Sequence, residues 1–400
     1  MPGKPLEGVT VIDCSTLIAG PLSATFMGDF GADVIKIEHP EFGDSVRNFG
    51  KEGQELSWKW LGRNKQSVAV DLSEAEGQAI FRTLAADADV VVEGFRPGTM
   101  ERWGLGYDTL SAENPGLVMV RTSGFGQTGR YRDRPGFGTL AEAMSGFAEV
   151  TGFPDKPPTL PSLGLADAVA AAYSTFAAMF ALYHRDVHGA DGQYVDTSLV
   201  EPLFSTMGRM TVDYSVNGTV QRRTGNRSTY SAPRNTYRTK DGRWVAISGS
   251  AESIAKRVLR IVGGEEMATD PRFATAAARL ENVEELDALI GAWMAERTRE
   301  EVLAVFEAHE AAIAPVYDTA DIFQDDYFWE RDALIEVEDP DYADLVMPGV
   351  FPKLSATPGS VDWTGPALGA DTMAVLTGRC GLSEAEVRDL SERGVVSVRE

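Results

Sequence analysis

Asp167 stands at the head of the segment PSLGLADAVAAAYSTFAAMFALY, directly before an Ala-rich apolar run. A carboxylate there can cap a helix, because its oxygen accepts one of the backbone N–H groups that the first turn leaves unpaired. A helix this apolar is expected to lie in the interior. A poorly hydrated carboxylate at its N-terminus, steadied in the charged form by the helix dipole, could also attack an electrophile such as a thioester. On these residues alone the cap is the simpler account. His184 and His188 are spaced i, i+4 in YHRDVH near the end of the same run, so both fit one helical face. No third ligand stands at a zinc-protease spacing, and the chain has four histidines in all. The pair therefore reads as side chains suited to a helix C-terminus, and no metal is expected. Cys14 ends the first strand pattern, where active-site groups often sit in parallel sheets; a small buried thiol is the simpler reading.

Strands and helices must alternate to bring such groups together. Val9–Asp13 (VTVID) reads as a strand, and Pro21 suits the first position of a helix that Gly31 closes. Asp33–Glu38 (DVIKIE), SVAVDL, VVVEGF and LVMVRTSGF repeat the strand pattern. Between them, a capping box of Ser73 with Glu76 is expected to open a helix running to Asp87. This alternation predicts an α/β fold, a doubly wound parallel sheet covered on both faces. The first strand-to-helix turn, STLIAGPLS, has no GxGxxG, so the shape is Rossmann-like without the NAD fingerprint. After Gly225 come a strand pair around TYRTKDGRWVAIS and helices from Glu252 to about Glu310, a smaller α+β region. We expect residues 1–205 with 330–400 to form the large domain, 225–325 the small one, and 206–224 and 326–329 to link them.

Acidic residues number 60 against 37 basic ones, a formal charge of -23. Such a field repels nucleic acid and anionic membrane surfaces. Only nine of the basic residues are lysine, and screening at molar salt would quench the self-repulsion, so a halophilic source is expected. The chain opens without a charged-then-apolar leader, and the apolar run Ala168–Tyr183 is shorter than a bilayer span. A cytoplasmic protein off the membrane is the expectation, with Cys14 and Cys380 unpaired.

Many ordered blocks along nearly the whole chain resemble the class III CoA-transferase family, which includes formyl-CoA and carnitine CoA-transferases and α-methylacyl-CoA racemases. The blocks are LEGVTVIDCSTLIAGP, GADVIKIEHPEFGDSVR, SVAVDL, VVEGFRPGTMERWGLGYDTL, NPGLVMVRTSGFGQTG, RDRPGF, VTGFPDKPPT, GLAD and GQYVDTSL. In the second region they continue as RTGNR, KDGRWVAIS, DPRFATAAARLEN and LSATPG. The resemblance implies that Asp167 is a catalytic nucleophile. Its carboxylate would attack an acyl-CoA to give a mixed anhydride, then an aspartyl-CoA thioester, and an acceptor acid would reverse the steps. It implies no prosthetic group, coenzyme A thioester as substrate, and two copies interlocked as a homodimer. By the same resemblance Leu17 and Ile18 lie along the pantetheine, and His39, Val70, Leu72, Gly94 and Phe95 line the adenine end. Arg102 and Arg134 would face the phosphates. Backbone amides near Ser248–Ser250 are expected to screen Asp167.

Two departures from the family pattern bear on the reaction. Ser73 stands where transferases often carry a phosphate-binding lysine. In the racemase branch a histidine serves as one half of an acid–base pair in a PGHD-like motif, whereas this chain reads PGFG, with Phe137 and Gly138 there. Phenylalanine moves no proton, so transfer is favoured over racemisation. The APRNTYRTKDG stretch resembles transferases of small dicarboxylates, such as succinyl-CoA with mesaconate or citramalate. Arg47, Arg234 and Arg238, with Phe137, are the expected acid-binding residues. The alternatives are a racemase-like isomerase and a CoA-binding protein without catalysis. In the latter Asp167 would only cap its helix, and Asp167→Ala would cost about 1 kcal/mol of stability.

Overall fold

The computed structural model describes residues 3–399 and divides into two compact units. The larger holds the chain up to Phe147, Leu160–Val216 and everything from Tyr327 on; the smaller holds Ala148–Thr159 and Asn217–Asp326. The smaller unit thus takes in a stretch, Ala148–Thr159, that sequence patterning assigned to the larger one. Hydrogen bonds to the RTGNR block explain it. Arg223 of the RTGNR block donates through Nη1 to Glu149 O and Oε2, both at 3.0 Å, and Gly225 N–H bonds Gly152 O at 2.9 Å. The expected linker 206–224 is also largely helical, over Gly208–Asn217.

The larger unit is built on a seven-stranded sheet. Its first six strands are β1 (Thr10–Asp13), β2 (Asp33–Glu38), β3 (Lys65–Val70), β4 (Val90–Glu93), β5 (Val118–Ser123) and β6 (Tyr194–Ser198). They pair in parallel in the order 3-2-1-4-5-6, and a short antiparallel strand, Val396–Ser397, closes the β3 edge. This is the doubly wound order, in which the chain reverses direction between β1 and β4 and leaves a crevice beyond the carboxyl ends of those strands. β4 and β5 are buried along their full length, as parallel strands covered on both faces must be. An antiparallel pair, Leu334–Val337 with Leu345–Pro348, lies outside the sheet.

The apolar run after Asp167 forms a 24-residue helix, Leu165–His188, ended by Gly189 in the left-handed conformation. By length and composition it could also cross a bilayer, although here one face is taken up by protein. That face carries Ala166, Ala170, Ala171, Ser174, Ala178 and Ala181. Such small side chains let it lie close against helix Ala19–Asp29 and strands β5 and β6. The expectation of a fully buried helix holds for that face only. On another, Phe176, Phe180, Tyr183 and Val187 are exposed.

In the smaller unit β7 (Arg234–Arg238), β8 (Trp244–Ser248) and β9 (Ile313–Pro315) form an antiparallel sheet. Helices Val283–Ala295 and Arg299–Ala308 follow the expected pair, the second opened by a capping box of Thr298 with Glu301. The predicted box at Ser73 does not form. Ser73 Oγ and N–H both go to Asp71 Oδ1, at 2.7 and 2.8 Å, because an aspartate two residues back competes for them. The helix there runs Ala75–Ala86 from an uncapped Glu74.

Candidate active site

The loops leaving the carboxyl ends of the strands carry three cavities in the larger unit. The first, about 250 Å3, is lined by Cys14, Lys36, His39, Phe42, Val70, Leu72, Phe95 and Trp103, among others. The second, about 200 Å3, is lined by Leu17, Gly94, Phe95, Ser123 and three arginines, Arg96, Arg132 and Arg134. The third, about 400 Å3, holds Leu17, Ile18, Phe137, Gly138, Glu142, Gly164 and Asp167. Phe95 is shared by the first and second, and Leu17 and Phe137 by the second and third. The three form one track, from a flat aromatic pocket past a basic stretch to a carboxylate.

Asp167 sits in the first turn of its helix and is not its cap; Gly164 takes that place and makes no side-chain bond. This corrects the expectation of a capping aspartate held in its charged form. Burial pushes the Asp167 carboxyl up to about 6, the charge of Glu142 adds to the rise, and the residue's own backbone N–H offsets only part of it. Glu142 is itself buried and accepts from Ala166 N–H at 3.3 Å, so two carboxylates share one wall.

Glycines make the room. A Cβ built on Gly138 would stand 2.0 Å from Asp167 Oδ2, and one on Gly164 would stand 3.2 Å from the same atom. The loop that delivers Gly138 is anchored by backbone contact. A Cβ on Gly136 would fall 2.4 Å from the Cα of Gly124, just beyond β5, so the two backbone segments touch with no side chain between them. Phe137 is 58% exposed and borders the cavity without a titratable group.

The first cavity is walled by an aromatic pair, His39 stacked on Phe42 with ring centroids 3.8 Å apart. Facing them, Phe95 meets Trp103 edge-on at 5.1 Å. Phe95 N–H bonds Glu93 Oε2 at 2.7 Å, and Arg121 Nε bonds the other oxygen at 2.8 Å, which fixes the loop after β4. Val70 and Leu72 line the floor of this cavity, whereas Gly94 lines the second. Cys14 donates to Val92 O at 3.4 Å, and burial pushes its thiol well above the usual range, with Glu93 and Asp13 adding to the effect. A thiol so held is a poor nucleophile.

Of the arginines, Arg134 lines the second cavity and lies over the Tyr131 ring at 4.0 Å. Arg102 is exposed and donates to Thr99 Oγ1 at 2.9 Å, and it lines none of the three cavities. Arg96 and Arg132, which sequence reasoning passed over, line the second. The signal for Arg96 was available in the GFRPG block, directly after β4. Glu142 and Trp103 were missed as well.

Arg47 does not serve as an acid-binding group. It is buried, with Nε and Nη2 each 2.8 Å from Glu38, Nη1 2.9 Å from Glu55, Pro366 O accepting from both Nη groups, and the guanidinium over Trp58. Its donors are consumed within the protein. Arg234 and Arg238 lie on β7 of the smaller unit and bond backbone carbonyls: Asn226 O and Arg227 O for Arg234, Gly242 O for Arg238. Ser248–Ser250 lies in that unit too. The Gly249 N–H goes to Pro233 O at 2.7 Å and the Ser248 N–H to Ala312 O, so these amides are already engaged. His184 and His188 place their rings 5.4 Å apart, and no cluster of three or more potential metal ligands occurs among the described residues.

The family model for CoA-transferase family III matches residues 6–372. The chain belongs to CoA-transferase family III. Among its relatives in the family is the succinyl-CoA–D-citramalate CoA-transferase of Chloroflexus aurantiacus, 42% identical over 99% of each chain. The succinyl-CoA–L-malate CoA-transferase beta subunit of the same organism is 40% identical over 98% of each. The crystal structure of a CAIB/BAIF family protein from Brucella suis matches with a TM-score of 0.83 at 30% identity, covering 94% of this chain and 99% of that one. These relatives make the family III chain a CoA-transferase in an α/β fold.

Proposed function

We propose that this enzyme moves CoA from succinyl-CoA, or a related dicarboxylyl-CoA, to a small dicarboxylic acid through covalent intermediates on Asp167. The observation that carries the proposal is a half-buried, raised-pKa carboxylate in the cavity at one end of a track whose other end is an aromatic pocket. CoA lies along that track. The adenine stacks in the first cavity between His39–Phe42 and Phe95–Trp103, the phosphates meet Arg96, Arg132 and Arg134, and the thioester reaches Asp167. Arg102 joins the phosphate contacts only by turning from Thr99.

An Asp167 oxygen attacks the thioester carbonyl, the C–S bond breaks, and CoA leaves as thiolate, giving a mixed anhydride. The thiolate then attacks the Asp167 carbonyl, releasing the donor acid as its carboxylate and leaving an aspartyl-CoA thioester. An acceptor carboxylate repeats both steps in reverse and restores Asp167. No proton is gained or lost, so no acid–base pair is required, which suits Phe137. Each covalent intermediate also removes the Asp167 charge from beside Glu142. Repulsion in the resting site therefore favours the bonded states. The choice of a dicarboxylate rests on the substrates named for the relatives.

The test is an exchange assay, at low and molar salt, with succinyl-CoA and a panel of acids, products separated by chromatography. New acyl-CoA is expected with citramalate-like or malate-like acids, and absence of exchange with every acid would sink the reading. The rate should fall with one ionisation as pH drops through about 6, where Asp167 takes a proton. Glu142→Gln should carry that limb to lower pH, and an unmoved limb would show that Asp167 does not feel the Glu142 charge.

We also read the exposed stripe of Phe176, Phe180, Tyr183 and Val187 as covered by a second copy in an interlocked homodimer. Light scattering should give about twice 43.3 kDa, and a monomer at micromolar concentration would exclude it. Free Cys14 and Cys380 and the acidic charge support a cytoplasmic, salt-adapted enzyme.

A further inference from the structure

Leu17 forms part of the wall between the second and third cavities, and it does so with a backbone φ of 70°, in the left-handed region. That conformation crowds the Cβ of any residue but glycine, and it persists only where the surroundings impose it. Here a single side chain supplies the constraint. Leu17 N–H donates to Asp44 Oδ1 at 3.0 Å. The same oxygen accepts Val46 N–H at 3.0 Å, at the head of the short 3-10 turn Ser45–Asn48. The other oxygen of Asp44 forms an ion pair with Lys36 Nζ at 3.0 Å, and Asp44 N–H bonds Glu38 Oε2 at 3.0 Å. Asp44 is 1% exposed and Lys36 fully buried. Lys36 Nζ also donates to Ser15 O, two residues before Leu17.

We propose that Asp44 is a positioning residue that latches Leu17 in its left-handed conformation and so fixes the passage between the basic cavity and the Asp167 cavity. Lys36 and Glu38 hold the latch rigid and Leu17 is what it holds. Freed from Asp44, Leu17 would relax to negative φ and swing its side chain out of the wall it shares with Phe137. A thioester threaded along the track would then approach Asp167 in a changed register, and catalysis would lose its alignment before the fold lost its stability. Burial works against the Lys36 charge, but Asp13, Asp44 and Glu38 outweigh it and raise its pKa, so Lys36 stays charged beside Asp44.

The consequence of the proposal is a coupling between positions 44 and 17. Glycine adopts the left-handed conformation without strain, so a chain with Leu17→Gly has less need of the latch. In the Leu17 background, Asp44→Ala should lower kcat at least tenfold. In the Leu17→Gly background the same change should lower it less than threefold. Asp44→Asn keeps an oxygen for Leu17 N–H and should retain more of the rate than Asp44→Ala, with thermal unfolding run on every variant. Equal losses in both backgrounds would overturn the latch, because a purely structural Asp44 has no reason to couple to φ at position 17. If Asp44→Ala does not fold, Asp44→Ser is carried through the same cycle, its shorter side chain being unable to span the distance. The proposal rests on the functional reading of the Asp167 cavity, so CoA affinity is measured calorimetrically alongside. A parent that transfers no CoA would sink the functional reading alone, and the same coupling, sought in Kd, would still decide the latch.

Discussion

Asp167→Asn should abolish CoA transfer and at the same time make the protein harder to unfold at pH 7. The first half follows from the chemistry, since an amide can neither attack a thioester nor carry the acyl group as an anhydride. The second half follows from the pKa. A carboxyl raised to about 6 in the folded protein binds its proton more tightly there than in the unfolded chain. Its contribution to stability is therefore fully present below the unfolded pKa and is lost as pH rises through about 6. At neutral pH the half-buried charge beside Glu142 costs roughly 1–3 kcal/mol, which asparagine removes. A melting-temperature scan against pH should show the variant ahead of the parent at pH 7 and level with it near pH 4. A variant less stable than the parent at pH 7 would return Asp167 to the role of a helix-stabilising group, the outcome that its place beside a helix start first suggested.

Gly138→Ala should cost about 100-fold in kcat/KM with no loss of stability, the scale expected when a reacting group is moved by an ångström. The added Cβ would need the space of Asp167 Oδ2, 2.0 Å away, and of its Cγ, 3.0 Å away. No other group lies against Gly138 so closely, and the position opens a helix with ordinary dihedrals, where alanine is a better helix former than glycine. Steady-state kinetics beside a melting curve separates the two effects. Activity within threefold of the parent would mean that the carboxylate can turn aside and still react, and that the tight fit has no role in aiming it.

The parallel strands were legible because each opens on a short apolar run, VVV in β4 and VMV in β5, as strands covered on both faces require. Asp167 was singled out as a candidate nucleophile only through the ordered family blocks around it; its own neighbourhood read as a cap, and the cap proved to be Gly164. Arg47 was misread because a sequence displays a guanidinium without its partner. Glu38 lies on β2 and Pro366 comes from the far end of the chain, and together they absorb what an acid substrate would need. Glu142 gave no signal at all, since its effect on Asp167 exists only once helix Gly138–Met144 is laid against the head of the long helix. The segment Ala148–Thr159 went to the wrong domain for a like reason: the arginine that claims Glu149 is encoded far downstream.

The path of the chain also governs how the molecule can be taken apart. Segments beyond Tyr327 are hydrogen-bonded into the sheet that the first seventy residues begin. Trp58 bonds Pro366 O, Trp363 bonds Lys65 O, Asn64 bonds Ser360 O, and Val396 pairs with Val70. A protease that cuts once within Asn217–Asp326 therefore releases nothing. It leaves a nicked enzyme whose two pieces part only in denaturant, with the strand that floors the aromatic pocket still held at its edge by residues from the other piece.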